Sequence, residues 1–152
     1  MRDFKQNIYF NFMIDLEENL LIFTSLVFTT NVIAAMYKKD YIYALLFTLL
    51  IITSLIVHSS IGKESAYLNV MDKVAIFLIV MYGAYVLWNK NDKENIFMTS
   101  IIVSTFLFCI WVYYCGYVQE KYCFDKTSCV ANQYHALMHI IASAGHNLII
   151  FL

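Results

Sequence analysis

The sequence predicts an all-α fold, a polytopic bundle of about five membrane-spanning helices. Three observations carry this. The chain of 152 residues is 61% hydrophobic and only 14% charged, with a mean hydropathy of +0.65, whereas soluble domains run to about 45–50% apolar and about 25% charged. Five apolar runs approach the roughly 20 residues that a helix needs to cross a bilayer. Short charged clusters separate them: Lys38 to Asp40, Gly62 to Ser65, Asn89 to Asn95 and Gln119 to Cys129.

In order, the expected spans are Leu20–Tyr37, Tyr41–Ser59, Val70–Trp88, Ile96–Val118 and Ala131–Leu152. The "KKD" turn after the first is so short that the first two helices must be antiparallel neighbours. Asp72 and Lys73 lie at or just inside the start of the third. With no proline and four glycines, nothing divides residues 1–152 into separate domains. The opening "MRDFKQNIYFNFM" lacks the apolar run and small-residue cleavage site of a secretory signal. A formal net charge of -1 with no basic block excludes a nucleic-acid partner.

Counting lysine and arginine near the span ends does not orient the chain. Arg2, Lys5, Lys63, Lys121 and Lys126 fall on the side of the N-terminus, against Lys38, Lys39, Lys90 and Lys93 on the other. Cys123 and Cys129 flank "FDKTS" on the N-terminal side, where an oxidising lumen permits a disulfide. Two reduced cysteines are an equal alternative on these residues.

Ionisable groups within spans are costly and are functional candidates by default. Here they are His58 closing the second helix, Asp72 opening the third, and His135, His139 and His146 along the fifth. Alternating helix direction brings His58, Asp72, His135 and His139 to the same end of the bundle, with Ser54 one turn deeper than His58. Positions four apart share a helix face, so Ser54 and His58 form one stripe and His135 and His139 another. Two imidazoles at i and i+4 reach one cation. A third from a facing helix completes a zinc set of His58, His135 and His139 with its fourth position open to water, which Asp72 and Ser54 are available to hold and activate.

Each residue also has a plainer reading. A lone HxxxH is more often packing than ligation, and His58 and Asp72 suit the ends of helix dipoles. Ser54 is of the type that bonds back to a carbonyl one turn earlier. Four agreements of depth and face put the metal reading ahead. His146, about 10 Å deeper than His139, is too far to join it and is read first as an interhelical hydrogen-bonding residue, with support of the metal ligands or contact with substrate as alternatives. A pair of axial histidines for a b-type haem explains fewer of these residues.

Taken together, "SLIVH" (Ser54 to His58), "MDKVAI" from Met71 and "YHALMHIIASAGHNLII" resemble the alkaline ceramidase family of integral-membrane zinc hydrolases, which has Ser-xxx-His, Asp and His-xxx-His in this chain order. "DLEENLL" (Asp15 to Leu21) is similar to that family's acidic stretch, with Glu17, Glu18 and Asn19 matching its "EEN" and Asn31 falling where its first helix has Asn. The resemblance implies a reduced version of a seven-helix fold. It implies zinc-dependent cleavage of a ceramide-like membrane lipid into a sphingoid base and a fatty acid. It also implies calcium held by Asp15, Glu17 and Asn19, whose oxygens suit a hard cation, and a luminal N-terminus in the endoplasmic reticulum or Golgi membrane. Without it, "DLEEN" reads as an acidic helix start. A lipid-ester hydrolase or a non-catalytic member of the same superfamily remains open beside the amide hydrolase.

Overall fold

The computed structural model describes residues 19–59, 65–90 and 95–152. Five helices follow one another: α1 (Asn19–Tyr37), then α2 (Tyr41–His58), α3 (Ala66–Lys90), α4 (Ile96–Gln119) and α5 (Ser128–Phe151). No strand occurs among the described residues. The first four helices are long and apolar enough to cross a membrane. α5, at 24 residues, matches them in length, but Asn132, Gln133, His135, His139, His146 and Asn147 dilute its apolar content. The protein is therefore an all-helical membrane protein in which a more polar fifth helix packs among apolar ones.

Large apolar side chains point outward throughout, Leu45, Phe77 and Leu107 each being at least 60% exposed. Such a surface would be untenable in water and suits lipid. The buried core is small, built from Phe28, Ala35, Tyr43, Phe47, Ile79, Ile102 and Ile149 among others. α2 packs on α1 and α3, α1 packs on α5, and α5 packs on α4 and touches α3. α4 leans chiefly on α5.

Local chemistry accounts for the element ends. The hydroxyls of Thr24 and Ser25 bond the carbonyls of Leu20 and Leu21, a competition with the helix ladder that bends helices. α1 tightens into a 3-10 turn at Leu26–Phe28 immediately afterwards. Asp40 caps α2 by accepting from the amide of Tyr43 at 3.1 Å, and it also accepts from the Tyr82 hydroxyl of α3 at 2.9 Å. α3 begins at Ala66 rather than Val70 because Ser65 caps it, its hydroxyl accepting from the amide of Leu68. Asp72 consequently sits well inside that helix, not at its mouth.

Polar side chains tie the helices together where burial leaves them no water. Asn31 of α1, fully buried, donates from Nδ2 to the carbonyl of Ser143 at 2.9 Å, and accepts from the Ser143 hydroxyl at 2.6 Å. His146 bonds the Tyr43 hydroxyl inside a cage of Phe47 and Phe106 rings, the interhelical role expected of it. Gly83 of α3 makes room for this pair. A Cβ there would lie 2.8 Å from the Tyr43 hydroxyl and 2.9 Å from His146 Cε1. Gly83→Ala is expected to destabilise the folded protein by about 1–3 kcal/mol through overpacking, read as a lowered thermal midpoint in detergent.

Candidate metal centre

α2 ends on His58, and α5 presents His135 and His139 one turn apart on the face turned towards it. One nitrogen from each of the three lies within 4.8 Å of the others. The rings stand with centroids 5.0 Å apart for His58–His135, 5.5 Å for His58–His139 and 4.8 Å for His135–His139. His139 is buried, while His58 and His135 are half-buried. Charged imidazoles crowded in this way would repel one another at low dielectric. Neutral rings sharing one cation relieve that conflict.

The hydrogen-bonding of His139 fits a ligand. Thr24 Oγ1 lies 3.0 Å from the carbonyl of Leu20 and 3.3 Å from that of Leu21, and donates its single proton there. His139 Nδ1 lies 3.1 Å from the same oxygen, and with the Thr24 proton on the helix carbonyl that oxygen is able to accept from the ring. In that arrangement Nδ1 carries the hydrogen and the Nε2 lone pair is left for a metal. Fixing the tautomer through the distal nitrogen is how metal-binding histidines are oriented, and losing such a partner costs about 10–100-fold in affinity. Thr24→Val, which keeps the shape and removes the acceptor, is expected to weaken zinc binding by that factor with the fold intact. Competition with a chelating indicator measures it.

Asp72 and Ser54 each have an immediate partner on another segment. The carboxylate of Asp72, buried, accepts from Thr53 Oγ1 at 3.0 Å and does not join the group of three ligand nitrogens. Ser54 is buried and its hydroxyl lies 2.9 Å from that of Ser25. Ser25 also donates to the carbonyl of Leu21 at 2.7 Å, an arrangement in which Ser54 is the donor in the serine pair. It does not bond back along its own helix, the plainer reading of a serine there. For Ser54 to donate towards the histidines, its hydroxyl must rotate away from Ser25.

Thr24, Ser25 and Thr53 were not singled out from the sequence. Their signal was present in depth alone, since "FTS" (Phe23 to Ser25) enters α1 at the same end as the histidines. Of the proposed calcium ligands, Asp15 and Glu17 lie outside the described residues, as does Glu18; Asn19 is the exposed first residue of α1.

Cys123 carries a thiol, with Sγ 3.2 Å from Met138 Sδ. Cys129 accepts from Gln133 Nε2 at 3.4 Å. Rings hold the α4–α5 connection together instead of a disulfide, Tyr122 against Trp111 and Tyr134, and Phe124 against Tyr113 and Tyr117.

Compared with protein-family models, curated proteins and solved structures, the chain has no significant match.

Proposed function

We propose that this protein is a zinc-dependent hydrolase acting on a membrane lipid amide, of the alkaline ceramidase type. The observation that carries the proposal is the convergence of His58, His135 and His139 from two helices onto one point. Thr24 supports it by giving His139 Nδ1 a hydrogen-bonding partner at 3.1 Å, the kind of contact that orients metal-binding histidines. Three neutral nitrogens are the donor set of catalytic zinc sites. Zinc bound there supplies Lewis-acid polarisation of a carbonyl and acidifies water to a pKa of about 7.

The chain's own residues do the rest. A carboxylate on α3, Asp72, accepts the proton of the attacking water and returns it to the amide nitrogen as the C–N bond breaks. The products are a fatty acid and a long-chain amine. Thr53 orients that carboxylate through Oδ1, leaving the other oxygen for the proton. Ser54, after releasing Ser25, donates to the developing oxyanion. Lipid-facing helices around a site within the bundle favour a substrate arriving from the bilayer. Ceramide as the particular lipid, calcium at Asp15, Glu17 and Asn19, and a luminal N-terminus in an endomembrane rest on the resemblance of the motifs alone.

A second reading keeps the metal and drops the turnover. Ser54 committed to Ser25 favours it, because a structural metal needs no oxyanion donor. The haem alternative loses ground, since three imidazoles with centroids within 5.5 Å of one another leave no slot for a macrocycle between them. The deciding experiment is metal analysis of purified protein combined with incubation in a mixed lipid extract, followed by mass spectrometry. About one zinc per chain, with ceramide consumed and sphingoid base formed, is the expected result. Zinc with no lipid turned over establishes the second reading, and no zinc ends both.

A further inference from the structure

We propose that the end of the bundle opposite the histidines binds the phosphate group of an anionic membrane lipid. A cavity of about 440 Å³ lies there, lined by Lys38, Lys39, Asp40, Tyr41 and Lys90 with Ile150 at the end of α5. Three ammonium groups line this cavity against one carboxylate, an excess of positive charge that a further anion would offset.

The single carboxylate in the wall is already engaged. Asp40 Oδ1 accepts from the Tyr43 amide and the Tyr82 hydroxyl. Among the described residues, none of the three lysines is ion-paired. Lys90 donates to the carbonyls of Ile149 and Ile150 at 3.2 and 3.0 Å, which satisfies the end of α5 and fixes its charge at the cavity. Lys38 stands over the Phe151 ring at 5.3 Å. Lys39 is held at φ 61°, the left-handed position that closes α1 and where glycine is the default. Its side chain adds a third positive charge to the cavity wall.

The depth of the cavity identifies the source of the phosphate. Tyr37, Tyr41 and Trp88, each more than 60% exposed, ring this end of α1, α2 and α3. Exposed aromatic rings of this kind sit at the level of lipid headgroups, where lysines attract anionic lipid. A phosphate between Lys38, Lys39 and Lys90 would keep its acyl chains against the apolar faces of α1 and α2, which are exposed at Ile33 and Ile42.

The test uses the full chain in detergent with equal amounts of phosphatidic acid and phosphatidylcholine of the same acyl chains, read by native mass spectrometry. Wild type is expected to retain one phosphatidic acid in preference to phosphatidylcholine. The Lys38→Gln, Lys39→Gly double variant is expected to lose roughly five-fold in that retention per lysine removed. Lys39→Gly alone relieves the left-handed strain, so its thermal midpoint should hold or rise while lipid retention falls, which separates binding from folding. Equal retention of the two lipids, or unchanged retention by the double variant, overturns the proposal. Binding of inorganic phosphate in place of any lipid preference overturns the lipid source.

Discussion

His139→Ala is expected to yield protein without zinc and without lipid hydrolysis. His139 is the most buried of the three imidazoles and the one with a hydrogen-bonding partner on α1, Thr24. Two remaining nitrogens do not make a closed donor set, so zinc falls well below one per chain. A bound metal supplies several kcal/mol of transition-state stabilisation, and each 1.36 kcal/mol is a factor of ten. Turnover should therefore drop by more than about 10³-fold. Because His139 also packs against Phe28, alanine there opens space in the core. His135→Ala, at a half-buried position, is the companion variant and should show the same loss of zinc with less loss of stability. Full zinc content in both variants would remove the basis of the proposed function.

Asp72→Asn is expected to separate metal from catalysis. The asparagine oxygen still accepts from Thr53, so the α2–α3 contact survives, and the three nitrogens are untouched. What disappears is the base. Losing a positioned general base costs about 10²–10⁴-fold in rate, with zinc per chain unchanged. If the metal is structural, the variant matches wild type in zinc content and neither protein turns over lipid. If activity persists undiminished, Asp72 does not take the proton. Thr53→Val offers a milder companion, since it removes the hydrogen bond at Oδ1 and leaves the carboxylate in place.

How much of this was legible before folding differs from residue to residue. The helices were readable because apolar runs and charged separators act locally, residue by residue, on the cost of meeting lipid. Their ends were readable to within a few positions, and the miss at α3 came from Ser65, a cap whose effect lies in one hydrogen bond rather than in hydropathy. The three histidines were readable because helix direction alternates and fixes depth, while spacing of four fixes face. The exclusion of His146 from the cluster followed from the same reasoning about depth, whereas its partner on α2, Tyr43, did not.

The partners of the site residues were not legible in this way. A hydroxyl in an apolar helix bonds its own chain by default, as Thr48, Ser100 and Ser104 do. Thr24, Ser25 and Thr53 each also bond back along α1 or α2, and nothing local marks them as the ones that additionally meet another helix. That Ser54 answers Ser25, that Asp72 answers Thr53, and that α4 leans on α5 depend on the rotation and crossing of helices. Those are set by how side chains fill the space between helices, over distances of sequence that no spacing rule spans.

By itself, then, the sequence determined an all-helical membrane protein with three imidazoles delivered to one end, because hydropathy, helical period and alternating direction are properties of the chain alone. Only the tertiary structure decided that these imidazoles converge within 4.8 Å, that Thr24 meets His139 Nδ1, and that lysines from two distant turns share a cavity at the opposite end. Each of those depends on angles between helices, and packing chooses them only once the helices are together.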